Sequence, residues 1–96
     1  MGELPCVIDF HDDFCPPCKA VGPALDRLAI EYQGSVEFYE VDIKQEEVLA
    51  QELGVKNLPT IVFCPVDKLP MVIERAVSED RIKSTIVKEL LIKNKI

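Results

Sequence analysis

The stretch Val7-Ile8-Asp9-Phe10-His11-Asp12-Asp13-Phe14-Cys15-Pro16-Pro17-Cys18-Lys19 changes its residue pattern midway, and that change decides the fold. Leu4 to Phe10 is a mostly apolar run with β-branched residues, which predicts a strand buried on both faces. His11 to Cys15 is polar and turn-like. From Pro17 onward Val21, Ala24, Leu25, Leu28 and Tyr32 recur at helical spacing, with Gly34 as a stop signal. Pro23 lies inside that helix and predicts a kink.

The two cysteines in the turn have a chemical reading. Disulfide exchange needs a thiolate, because a thiol is a poor nucleophile. A helix N-terminus offers free N–H groups and about half a positive charge. Cys15, just before the helix, is placed to have its pKa lowered there. Cys18, one turn on, can reach back and close a disulfide. Pro17 fits the first helical position, where no N–H is needed. Two rival readings belong beside this one. A metal site is disfavoured because one Cys-x-x-Cys supplies only two ligands, and Cys6, Cys64 and His11 do not complete a set by spacing. A binding scaffold with incidental thiols is the other.

Outward from this stretch, strands and helices alternate. Val36 to Val41 predicts a second strand, and Glu46 to Leu53 a short helix with Val48, Leu49 and Leu53 inward, closed by Gly54. Thr60 to Cys64 predicts a third strand and Leu69 to Ala76 a fourth, with Pro70 marking an edge. Ser78 is a good N-cap for a final helix whose apolar face is Ile82, Ile86, Val87, Leu90 and Leu91. Lys93 and Lys95 suit its C-terminal end. The order is β-α-β-α-β-β-α, one α/β domain over residues 1–96. The expectation is a four-stranded mixed sheet with helices on both faces.

Ninety-six residues with 48% apolar content suit one globular core. A net charge of −6, from 11 basic and 17 acidic residues, disfavours nucleic-acid and anionic-membrane partners. No apolar stretch is long enough to span a bilayer. Met1 to Pro5 lack the features of a secretory signal, so a cytoplasmic location and a monomer are the default expectations. Four cysteines at 6, 15, 18 and 64 are too few and irregular for a secreted disulfide scaffold.

These residues resemble the thioredoxin family. Val7 to Lys19 is similar to its strand and active-site loop, and Pro23-Ala24-Leu25-Asp26-Arg27-Leu28-Ala29 to its kinked helix. Phe38 to Ile43 resembles its central strand, and Gly54-Val55-Lys56-Asn57-Leu58-Pro59-Thr60 its cis-proline segment. The resemblance implies a thioredoxin-like minimal fold that lacks the usual first strand and helix. It implies that Cys15 attacks, that Cys18 resolves, and that Asp9 is a buried acid assisting proton transfer at Cys18. Pro59 matches the cis-proline facing the cysteines, and Phe14, Pro16 and Leu58 join it in the substrate groove. The implied partners are disulfide-containing client proteins and a thioredoxin reductase or equivalent. No bound cofactor and no metal are expected, since no Gly-rich nucleotide loop is present.

Several residues depart from the family pattern. Pro16 replaces the usual glycine and removes a possible N–H donor to Cys15. Phe14 and His11 stand where tryptophans are usual. Asp12 and Asp13 put negative charge near Cys15, and Glu40 stands where a lysine often faces the buried acid. The glycine expected near Arg75-Ala76 is missing. His11 is read either as a pH-sensitive partner of Asp12 or Cys15, or as a surface residue. If Asp9 pairs close to Ile61, Cys6 comes opposite Cys64, as a second disulfide or as two buried core residues. The function expected is reduction of protein disulfides by dithiol exchange. Alternatives are a disulfide oxidant or isomerase, a non-enzymatic binding module, and a glutaredoxin-type activity, whose glutathione pocket is not identifiable here.

Overall fold

Alternation of side chains along one central strand divides this molecule into two unequal halves. In the structure, a computed structural model that describes residues 3–92, that strand is β1 (Cys6–His11). It is followed by α1 (Pro16–Glu31), β2 (Glu37–Asp42), α2 (Glu47–Glu52), β3 (Thr60–Cys64), β4 (Met71–Ile73) and α3 (Glu79–Thr85). The strands form one sheet in the order β2-β1-β3-β4. β1 runs parallel to β2 and antiparallel to β3, and β3 and β4 form an antiparallel pair. This is the mixed four-stranded α/β fold expected, with β4 at an edge. Among the described residues β1 is the first element.

One face of the sheet is closed. Val7, Ile61, Phe63 and Ile73 meet Val21, Ala24, Leu25 and Leu28 of α1 and Ile82 of α3 in a single buried cluster. Each of these side chains larger than Ala24 contributes roughly 1.5–3 kcal/mol by leaving water. Two ion pairs tie the helices on the outside, Arg27 to Glu79 at 2.6 Å and Lys83 to Glu31 at 2.8 Å. The Ser78 hydroxyl caps α3 by accepting the Arg81 N–H at 3.1 Å.

The other face is more open, and along the chain four expectations are corrected. β1 is buried on both faces only at its C-terminal end: Val7 and Asp9 are buried on one side and Phe10 on the other, while Cys6 and Ile8 on the side of Phe10 are half-buried. In α2, Val48, Leu49 and Leu53 do not point inward; all three are exposed, and Ala50 alone is buried. An apolar stripe needs a partner surface, and a six-residue helix at the rim of the sheet finds little. β4 spans three residues rather than eight. α1 begins at Pro16, so that Pro16 and Pro17 take its first two positions.

The remaining differences are smaller. β2 starts and ends one residue later than its apolar run. The last helix widens to a π-helical stretch over Ile86–Leu91, which keeps Ile86 buried and Leu90 and Leu91 half-buried. The expected role of Lys93 and Lys95 lies outside the described residues. Gly34 and Gly54, at φ +89° and +72°, follow α1 and α2 in the left-handed region that glycine adopts without strain.

Candidate active site

The C-terminal end of β1 leads through a four-residue turn into α1, and the turn is built from its own side chains. The Asp12 carboxylate accepts the Phe14 N–H at 2.8 Å, an Asx turn, and the Cys15 N–H donates to the Asp12 carbonyl at 3.2 Å. Cys15 is the N-cap of α1. Its sulfur occupies the place a serine hydroxyl usually takes and accepts the Cys18 N–H at 3.1 Å. That N–H is shared with the Cys15 carbonyl at 3.0 Å. Pro16 and Pro17 carry no N–H, so Cys18 supplies the first donor of the helix.

Cys15 and Cys18 are joined in a disulfide with a Cα–Cα distance of 5.2 Å. Both are buried, while Phe14 beside them is 81% exposed and Pro16 is also exposed. Lys44, from the turn after β2, lies 4.3 Å above the Phe14 ring and 3.9 Å from the Asp12 carboxylate. The negative charge expected beside Cys15 is therefore partly countered by a lysine that sequence reasoning passed over. The only sequence signal for it is its place just after the strand parallel to β1.

Asp9 is 5% exposed and points to the closed side of the sheet. Among the described residues its Oδ1 has no hydrogen-bond partner. Burial pushes its pKa from 3.8 up to about 6; His11 opposes that rise, and Glu40 and Asp26 add to it. His11 sits 3.6 Å from Glu40 and is half-buried. Where Glu40 was expected to leave Asp9 without a favourable neighbour, His11 is the side chain that opposes the rise. His11 pairs with Glu40 and makes no ion pair with Asp12. A cavity of about 140 Å3 joins Asp9, His11, Cys18 and Glu40, which is room enough for water between the carboxyl and the sulfur.

The Leu58–Pro59 peptide bond is cis, as the resemblance implies. Pro59 is buried and Leu58 half-buried. Thr60 pairs with Phe10, so Pro59 enters β3 at the level where β1 runs into the cysteine turn. Thr60 anchors the bend by donating its hydroxyl to the Asn57 carbonyl. Among the described residues there is no cluster of three side chains placed to hold a metal ion, and no helix long and apolar enough to cross a membrane.

A disulfide that closes the first turn of a helix, with an ionisable carboxyl buried behind it, can open and reclose against another disulfide. By class the chain is a thiol–disulfide oxidoreductase. A thioredoxin family model matches residues 2–88, and the chain belongs to the thioredoxin family, whose activity is protein-disulfide reduction. The thioredoxin of Borreliella burgdorferi is 39% identical over 85 residues, which cover 88% of this chain and 73% of that one. A thioredoxin of Malassezia sympodialis is 40% identical over 63 residues, 65% of this chain and 60% of its own. Chloroplastic thioredoxin z superposes with a TM-score of 0.83 at 25% identity, covering 88% of this chain and 77% of that structure.

Proposed function

We propose that Cys15 is the attacking thiol, Cys18 the resolving thiol and Asp9 the group that takes the Cys18 proton. The observation that carries this reading is the Cys18 N–H bond to the Cys15 sulfur at the start of α1, which favours a thiolate on Cys15 in the reduced chain. The Cys15 thiolate attacks one sulfur of a client disulfide, and the other client sulfur leaves as a thiolate. Cys18 then gives its proton to Asp9 through the shared cavity and attacks the Cys15 sulfur. The second client thiolate leaves, the client gains two electrons and two protons, and the Cys15–Cys18 disulfide is restored. The raised pKa of Asp9 suits a carboxylate that exchanges protons near neutral pH. Phe14, Pro16, Leu58 and Pro59 form the docking surface: an exposed ring and proline on one side, and a strand entrance on the other.

The chain acts as a reductant of disulfide-containing proteins, with electrons from a separate reductase and no bound cofactor. A stabilised thiolate makes a disulfide oxidising, and two prolines leave Cys15 a single N–H in the first turn, which supports the reducing direction. The cytoplasm suits the two free thiols at Cys6 and Cys64. The roles are tested with insulin as the client. The Cys18→Ser variant is expected to trap an insulin chain on Cys15 as a mixed disulfide, and the Cys15→Ser variant to trap none. Capture on Cys18 instead reverses the assignment. A redox titration against glutathione is expected to give a couple more reducing than glutathione, and an oxidising couple overturns the direction.

A further inference from the structure

The sheet carries a second pair of sulfurs, and the exchange reaction at α1 does not use it. Cys6 opens β1 and Cys64 closes β3, and the antiparallel register sets them directly opposite each other. Directly opposed residues of antiparallel strands point to the same face, with Cα atoms about 4.5–5.5 Å apart. A disulfide accepts Cα separations of roughly 4.4–6.8 Å. The register therefore places the pair within the Cα range of a cross-strand bond.

Both thiols are free and half-buried. They lie on the open face, where Cys64 lines a cavity of about 390 Å3 together with Ile8, Val62 and Val72. A small disulfide can reach Cys64 from this side. The two groups interact: burial, the nearby Cys64 thiol and Glu37 raise the Cys6 pKa to about 11. Cys6 and the active cysteines stand at opposite ends of β1. Five residues of strand, about 17 Å at ~3.3 Å each, separate Cys6 from His11, with the turn still to follow. Direct exchange between the two pairs within one chain is out of reach.

We propose that Cys6 and Cys64 form a second dithiol–disulfide couple, oxidised by small disulfides of the glutathione type, which staples β1 to β3 on the open face of the sheet. The reaction balances in two steps. The Cys64 thiolate attacks one sulfur of glutathione disulfide and expels one glutathione thiolate. Cys6 then loses its proton to solvent, attacks the Cys64 sulfur of the mixed disulfide and expels the second glutathione. The protein loses two electrons and two protons, and glutathione disulfide becomes two glutathione molecules. Cys64 attacks first because it lines the cavity on the open face, where a small disulfide reaches it.

The experiment uses the Cys15→Ser, Cys18→Ser double variant, with its fold checked by circular dichroism and only Cys6 and Cys64 left as thiols. It is incubated with glutathione disulfide, quenched in acid, and read by intact mass and by thiol titration after unfolding. The expected product has no free thiol, weighs two hydrogens less and carries no adduct. The same variant incubated in urea is expected to shift toward glutathione adducts, because the native register is what brings the sulfurs together. Adding Cys6→Ser is expected to leave one glutathione on Cys64. Two free thiols in the folded chain, or a glutathione on each cysteine, overturn the proposal. An unmodified Cys64 in the triple variant overturns the order of attack.

Discussion

The two faces of the sheet are made by the same strands and do different work. On the closed face, Val7, Ile61, Phe63 and Ile73 lie beneath α1 and α3, and Phe63 and Ile61 have no exposed surface. On the open face, Phe10 and Thr60 are buried where β1 runs into the cysteine turn, but Ile8 and Val62 are half-buried and Val72 is 48% exposed. A residue's chemistry follows from which side of the pleat it occupies. Asp9 on the closed side is dry enough to hold its proton up to about pH 6. Cys6 and Cys64 on the open side stay free and within reach of solvent. A shift of one residue in the β1 register would exchange these environments and remove both chemistries.

The largest expected effect tests whether catalysis belongs to the α1 side alone. Cys15→Ser is expected to reduce insulin no faster than the uncatalysed control with dithiothreitol. Residual catalysis would mean that the open-face thiols turn over clients, and the division between the faces would fail. Next in size is a contrast in stability. Phe63→Ala is expected to cost about 3–5 kcal/mol by urea unfolding, since it empties a fully buried site. Val72→Ala, half-exposed on the other face, is expected to cost under about 1 kcal/mol. Equal losses would show that the open face is as tightly packed as the closed one.

Asp9→Asn sharpens the comparison further. The folded pKa of Asp9 stands above its ordinary 3.8, so its contribution to stability is fully present below about pH 4 and lost as pH rises through 6. The Asn variant escapes that loss. Urea unfolding is expected to find it more stable than the parent at pH 8, on the order of 2 kcal/mol after discounting for residual hydration, with the gap closing by pH 4. A gap independent of pH would place Asp9 in contact with water. The smallest effect is Arg27→Ala. It breaks an exposed ion pair between α1 and α3, and urea unfolding is expected to show little loss of stability, less still at high salt.

Much of this was legible in the sequence. The strand Thr60–Cys64, the order of elements, the cis bond at Pro59 and the Cys6–Cys64 register all follow from local pattern or from resemblance. What escaped depends on partners that pattern does not name. The apolar residues of α2 promise a buried face, but nothing in six residues says whether a surface lies opposite. The pairing of His11 with Glu40 and the lysine over Phe14 arise between segments about thirty residues apart, joined only by the parallel β1–β2 ladder. The widening of the last helix over Ile86–Leu91 leaves no mark in its spacing of apolar residues.

β2 has a further consequence, for behaviour in concentrated solution. It is an edge strand, and its far side offers unpaired backbone groups to any other chain that presents a strand. Of its six residues, Glu37, Glu40 and Asp42 carry negative charge, and no proline or bulge interrupts it. The edge is guarded by mutual repulsion rather than by cover. That guard acts over about 10 Å at 0.1 M salt and only about 3 Å at 1 M. Crowded, salty solutions are therefore where copies of this protein would begin to line up strand to strand, and dilute buffer of low ionic strength is where it keeps best.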